Sequence, residues 1–186
     1  MTSIRVDDLL NENQRLKEVV KKLESELTFL KNHPTIVRGL KGEILICKLT
    51  NGMQTRYSER FDVVLPNKIK IEVKNSQLHT PSKKAASLRW NWDKPLGSFD
   101  KGKDYHLLIL MGDKDLRYPE QYQDDSPYVF FALPYPNVEY FMDPGKTHGG
   151  MISLSTHFKG LRSKRSKLLL EYMVPEQEIS TLMESA

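Results

Sequence analysis

Leucine recurs every seven residues at Leu9, Leu16, Leu23 and Leu30, and this spacing constrains the fold more than any other feature of the chain. Seven residues are two turns of an α-helix, so the four leucines line one stripe. With them at heptad position d, Val6, Asn13, Val20 and Leu27 fall at a. Ser3 is suited to cap the start, Asp7 and Asp8 favour the positive end of the helix dipole, and Pro34 closes the far end. The pattern predicts a helix over about residues 4–32, set off from the rest of the chain by the proline.

β-Branched residues at a with leucine at d favour two parallel strands, and one buried Asn at a fixes register and oligomer state at some loss of stability. Asn13 therefore argues for a parallel homodimer through residues 6–30. In that dimer Glu12 faces a Lys17 and Glu26 a Lys31 across the interface, both attractive. The segment resembles the leucine zippers of basic-region transcription factors. Only Thr2, Ser3, Ile4 and Arg5 stand where such a factor carries its basic DNA-reading extension, so the expected role is assembly. A single amphipathic helix lying on its own domain, or antiparallel pairing, has the same local spacing.

Residues 1–33 are thus expected to form a coiled-coil dimerisation helix and residues 34–186 one globular domain. No apolar run approaches the roughly 20 residues that span a bilayer, so no membrane partner is expected. The N-terminal segment has neither the basic nor the continuous apolar region of a secretory signal, and the single cysteine, Cys47, has no intrachain partner. A cytoplasmic, intracellular protein is expected. The net charge of +4 is compatible with a polyanionic partner, but its distribution says more. Lys159, Arg162, Lys164, Arg165 and Lys167 crowd into nine residues that hold no acid, a candidate contact to DNA phosphates.

Beyond Pro34, the apolar residues Ile36, Leu40, Ile44, Leu45 and Leu49 recur at helical spacing until Asn51 and Gly52, predicting a helix over about 35–50. Met53–Tyr57, Arg60–Leu65 and Lys68–Lys74 read as three short strands in an antiparallel meander, the last two joined by a Pro66, Asn67 turn. The polar stretch from Leu78 to Gly102 reads as a loop with a short helix or as an excursion towards substrate. Tyr105–Met111 has the continuous apolar run of a strand covered on both faces, and Tyr128–Leu133 is similar. A short strand at Met151–Ser155, a helix over Phe158–Met173 carrying the basic cluster, and a final helix over Glu176–Glu184 complete the expectation.

Chemistry concentrates in FDVVLPNKIKIEVKNSQ. Around Ile69, Ile71 and Val73 the strand alternates with Lys70, Glu72 and Lys74, so period two sets Glu72 and Lys74 side by side on one face. Asp62 lies on the preceding strand across a tight hairpin. Two converging carboxylates repel unless a cation sits between them, and oxygen ligands of this kind suit Mg2+. The metal ligands expected on this reading are Asp62 and Glu72, with the backbone carbonyl of Val73 as a further one. Lys74 would orient a water or stabilise charge. Phosphodiester hydrolysis needs this set.

Asp62, nine intervening residues, then Glu72, Val73 and Lys74 resemble the signature of the PD-(D/E)xK nuclease superfamily, with Phe61 where the usual proline stands. The resemblance covers roughly residues 36–133. It implies an α/β, restriction-endonuclease-like fold, a central mixed sheet flanked by helices with an αβββαβ core, here preceded by the N-terminal coiled-coil helix. It also implies a metal-binding Glu on the helix before the sheet, a place that Glu43 matches, and a polar residue near the site, matched by Gln77.

The function expected from motif, resemblance and zipper is a Mg2+-dependent, site-specific endonuclease of double-stranded DNA. Such a chain resembles a type II restriction enzyme acting as a homodimer, each protomer cutting one strand of a near-palindromic target. A homing or repair endonuclease of the same superfamily is an alternative. So is a non-catalytic dimeric DNA-binding or scaffold protein. His79, His106, His148 and His157 fit no zinc ligand spacing, and no glycine-rich phosphate loop is present, so neither zinc nor a nucleotide cofactor is expected. Cys47, Trp90 and Trp92 read as core residues.

Overall fold

The computed structural model describes residues 6–56, 58–97, 102–143 and 150–181. The chain divides into two compact units, residues 1–38 and 39–186. The first unit is dominated by α1, Val6–Asn32, an unbroken helix of 27 residues. Its a and d side chains from Leu9 to Leu30 lie open: Leu9, Leu16, Val20, Leu23, Leu27 and Leu30 are each 47–58 per cent exposed. Pro34 opens α2, Pro34–Thr50, where its missing N–H is one of those a helix start leaves unpaired anyway. Asn51, at positive φ, ends that helix.

The second unit, from Gly39, takes in the rest of α2. Strands β1 (Met53–Gln54), β2 (Val63–Val64) and β3 (Lys70–Ser76) come next, and they form the expected antiparallel meander. The chain then crosses to β4 (Arg89–Asp93) before returning as β5 (Leu107–Asp113), which lies parallel to β3. Antiparallel β6 (Tyr128–Pro134) is next, then α3 (Val138–Phe141), β7 (Met151–Ser155), α4 (Lys164–Leu169) and β8 (Met173–Val174). The principal sheet is mixed, with order β1-β2-β3-β5-β6-β8, and β4 pairs with β7 in a separate two-stranded sheet.

β5 and β6 alternate their side chains between two cores, as strands covered on both faces must. Ile109, Met111, Phe130 and Ala132 join Ile46 of α2 on one face. Leu108, Leu110, Phe131 and Leu133 join Trp90, Trp92, Val138 and Phe141 on the other. The two indoles are buried and anchored, Trp92 Nε1 donating to Met111 O at 2.7 Å and Trp90 Nε1 to Asp113 O at 2.9 Å. Gly112 makes that approach possible, because a Cβ there would lie 2.5 Å from the Trp90 ring. Cys47 is half-buried against the α2-side core.

Three expectations change. The Leu78–Gly102 stretch is a strand-bearing crossover, and no helix stands among its described residues. In place of one helix over Phe158–Met173 there are a 3-10 turn at Phe158–Gly160, the short α4, a second 3-10 turn at Leu170–Tyr172, and β8. The break is built by Ser163, whose hydroxyl accepts from the Ser166 N–H at 3.0 Å and starts a new helix there. Glu176–Glu178 is a 3-10 turn, tied down by the Glu176 N–H donating to Asp124, and the end of the predicted final helix lies outside the described residues. No helix among the described residues is long and apolar enough to cross a membrane.

Candidate active site

The hairpin brings the acid pair together. Val63 faces Ile71 and Val64 faces Lys70 across β2 and β3, and Asp62, just before β2, is held one residue out of that register. The Asp62 N–H donates to Ile71 O at 2.9 Å, and its Oδ2 accepts from the Val73 N–H at 2.8 Å. In the parallel ladder Glu72 lies beside Leu108 and Lys74 beside Leu110. Both leucines belong to the core that holds the two tryptophans, so Glu72 and Lys74 share that face, as period two requires.

Glu72 is fully buried. Its Oε1 lies 2.7 Å from Lys74 Nζ, and its Oε2 lies 2.9 Å from Lys103 Nζ. Lys103 Nζ also lies 4.0 Å from Asp62 Oδ1 and so stands between the two carboxylates. Both contacts are at ion-pair distance, and Lys74 also lowers the Glu72 pKa as a hydrogen-bond donor. Burial pushes the Glu72 carboxyl above its ordinary pKa and outweighs the attraction of Lys74 and Lys103, with the charge of Asp62 adding to the rise.

Glu43 projects from α2 into the same electrostatic neighbourhood. Its carboxyl is also raised, chiefly by burial, and it feels the charges of Asp62, Lys74 and Lys103, while Gln54 Nε2 donates to its Oε2 at 2.6 Å. Among the described residues no three carboxylate, histidine or cysteine groups are close enough to enclose a metal ion unaided. The site is a pair, Asp62 and Glu72, with Glu43 further off.

The expected DNA contacts differ in their exposure. Gln77 comes directly after β3 and is exposed, and Lys159, Arg162, Lys164 and Lys167 are exposed along α4 and the turn before it. Arg165 is committed to structure, pairing with Asp143 and donating to Met142 O. His106 Nδ1 accepts from the Lys70 N–H at 3.0 Å, His157 stacks on Tyr118 with centroids 4.6 Å apart, and His148 lies outside the described residues. Sequence reasoning does not find Lys103. Nothing local to it signals a role; only the return of the chain from β4 to β5 brings it to the acids.

No model of a known protein family matches this chain, and a search of curated proteins finds none similar to it in sequence.

Proposed function

We propose that this chain is a Mg2+-dependent endonuclease of double-stranded DNA, resembling type II restriction enzymes and working as a homodimer assembled through residues 6–30. The observation that carries the reading is that Glu72 and Lys74 pair on one face of β3 while Asp62 and Glu72 both lie within 4.0 Å of Lys103 Nζ. A fully buried carboxylate offers the hard oxygen donors that Mg2+ takes, and its raised pKa shows that Lys74 and Lys103 do not fully offset its burial. Asp62 through Oδ1 and Glu72 would hold it, with water and substrate oxygens filling the remaining positions and Glu43 reaching it through water. Bound there, the ion would neutralise charge on the scissile phosphate and acidify a water.

The protein's own residues supply the rest. Lys74, partly open to solvent, can hold the attacking water with one donor and the phosphate with another. The Asp62 bond to the Val73 N–H fixes the carboxylate before substrate arrives, so little reorganisation is left for the reaction. The open leucine stripe of α1 supports a symmetric pairing that would bring two such sites to the two strands of one duplex. A homing or repair nuclease would use the same residues, and mapping the fragment ends of a digested genome separates these roles.

Supercoiled plasmid incubated with protein and Mg2+, with EDTA as control, tests the reading. Cutting that needs Mg2+ and disappears in Asp62→Ala and Lys74→Ala supports it, and discrete fragments indicate site specificity. Cutting retained in both variants removes the site assignment. One observation favours a second reading, a non-catalytic DNA-binding scaffold: Glu72 is sealed from solvent and already flanked by two ammonium groups. DNA binding without any Mg2+-dependent cutting would establish that alternative.

A further inference from the structure

Lys103 is held on a strap, Gly102 to His106, that is stitched to the strands carrying the acids. The Asp104 N–H donates to Arg60 O at 3.2 Å, and the His106 N–H donates to Lys70 O at 2.9 Å. The Lys103 N–H donates to Leu96 O at 3.3 Å. Tyr105, buried beside it, anchors the strap through its hydroxyl to Pro95 O at 2.8 Å. Asp104 also pairs with Lys70. Backbone ties on both sides of Lys103 therefore deliver its ammonium to the acid pair, which an ordinary surface lysine would reach only by chance.

Charge then decides what this ammonium can do. Asp62 and Glu72 contribute two negative charges, and Lys74 and Lys103 two positive ones, so these four groups balance without any ion, with the Glu43 carboxyl close by. A divalent cation entering between the carboxylates would meet Lys103 Nζ at 2.9 Å from Glu72 and 4.0 Å from Asp62. The ion and Lys103 repel at such separations by more than thermal energy even in water, and Lys103 is the lysine that reaches both carboxylates and so stands in the ion's place. We propose that Lys103 is a resident counter-cation: it holds Asp62 and Glu72 assembled before metal arrives, is displaced by the divalent ion, and so lowers the site's affinity for that ion. The lysine stem is long and partly exposed, so its head can swing to water without moving the strap. This rests on Asp62 and Glu72 being the metal site, and it makes Lys103 a positioning residue, since it acts through the carboxylates.

The test uses the full chain without DNA and Mn2+ as probe. Binding is read from the loss of the free Mn2+ paramagnetic resonance signal, and the thermal midpoint is measured in EDTA and in Mn2+. Lys103→Gln is expected to bind Mn2+ about tenfold tighter than wild type, to melt lower in EDTA, and to gain more from Mn2+. Lys103→Arg, which keeps the charge, is expected to stay near wild type; Lys103→Met, which keeps the apolar stem, replaces the Gln variant if that does not fold. A purely structural lysine would lower the midpoint and leave Mn2+ affinity unchanged, and that result overturns the inference. If wild type cuts plasmid with Mg2+ while the neutral variants bind Mn2+ no tighter, only the role of Lys103 falls. If neither wild type nor the neutral variants bind Mn2+, the metal site falls with it.

Discussion

Two buried carboxylates in the same unit have opposite surroundings. Asp115, only 2 per cent exposed, has every oxygen occupied. Its Oδ1 accepts from Arg117 Nε at 2.8 Å, and its Oδ2 accepts from Arg117 Nη2 at 2.7 Å and Thr156 Oγ1 at 2.6 Å. The Arg117 hydrogen bonds outweigh burial and hold its carboxyl down at about 2. Glu72 is as deeply buried, yet burial outweighs its two neighbouring ammonium groups and its pKa is raised. A buried charge with all its bonds made is a piece of structure. One whose pKa is raised despite its partners keeps a net penalty on its charge.

Catalysis should separate the two most strongly. Glu72→Gln, Asp62→Asn and Lys74→Ala are each expected to lower the rate of Mg2+-dependent plasmid cutting by a factor of about a thousand or more, the size typical of losing a group that binds the ion or stabilises transition-state charge. Asp115→Asn should leave the rate within a few-fold of wild type in the folded protein. If the Asn variant at 115 were the inactive one, the site would have been assigned to the wrong carboxylate.

Stability should separate them next, and with opposite signs. Replacing Asp115 by Asn puts an amide N–H2 against the guanidinium or the Thr156 hydroxyl, and about 2 kcal/mol is expected to be lost, part of the full cost being spared because Arg117 can rehydrate. Glu72→Gln in EDTA should instead hold or raise the denaturation midpoint at neutral pH, because its raised pKa means that the fold penalises the charge it removes. Equal losses in both variants would erase the distinction between a buried acid whose charge is favoured and one whose charge is penalised.

The pH dependence sharpens the same contrast with smaller effects. The Asp115 contribution is fully present above its ordinary value of 3.8 and is lost as pH falls towards about 2, so the gap between wild type and Asp115→Asn should narrow in urea titrations taken into that acid range. For Glu72 the sign reverses. Its penalty is absent below the ordinary 4.5 and complete above its raised pKa, so any advantage of Glu72→Gln should vanish as pH falls to that value. Gaps that run parallel at all pH would show that the two environments do not differ in the way their contacts imply.

Legibility in the sequence tracked the range of the interactions. The helices α1 and α2, the meander, and strands β5 and β6 carry their period or apolar run within a dozen residues, and the approach of Asp62 to β3 follows from the hairpin that joins β2 to β3. β4 was hidden although Arg89–Asp93 alternates, since its partner β7 lies some 60 residues on and its tryptophans find their acceptors on β5. The broken helix after Phe158 was hidden because leucine spacing outvoted one serine cap. Lys103 had no local mark at all. Whether a buried acid has its pKa lowered, as Asp115 does, or raised, as Glu72 does, depends on groups such as Thr156 and Lys103 that only tertiary folding delivers.

α1 extends the contrast from charge to apolar surface, where the incomplete element is a leucine stripe. Leu16 and Leu23 are 54 and 57 per cent exposed, so changing them to Asp should cost a lone chain no more than about 0.5 kcal/mol, as exposed substitutions usually do. In a parallel zipper the same two changes would set like charges against each other in a dry seam. Light scattering is then expected to show a dimer for wild type and a monomer for Leu16→Asp with Leu23→Asp, while Asn13→Leu, which removes the register-fixing polar pair, should tighten association and admit higher oligomers. A monomeric wild type at micromolar concentration would break the analogy, leaving α1 in need of another partner and the two cutting sites without a symmetry to join them. Retained Mg2+-dependent cutting by the monomeric variant, reduced to nicks in one strand, would show that α1 supplies the pairing and the Asp62 site the chemistry.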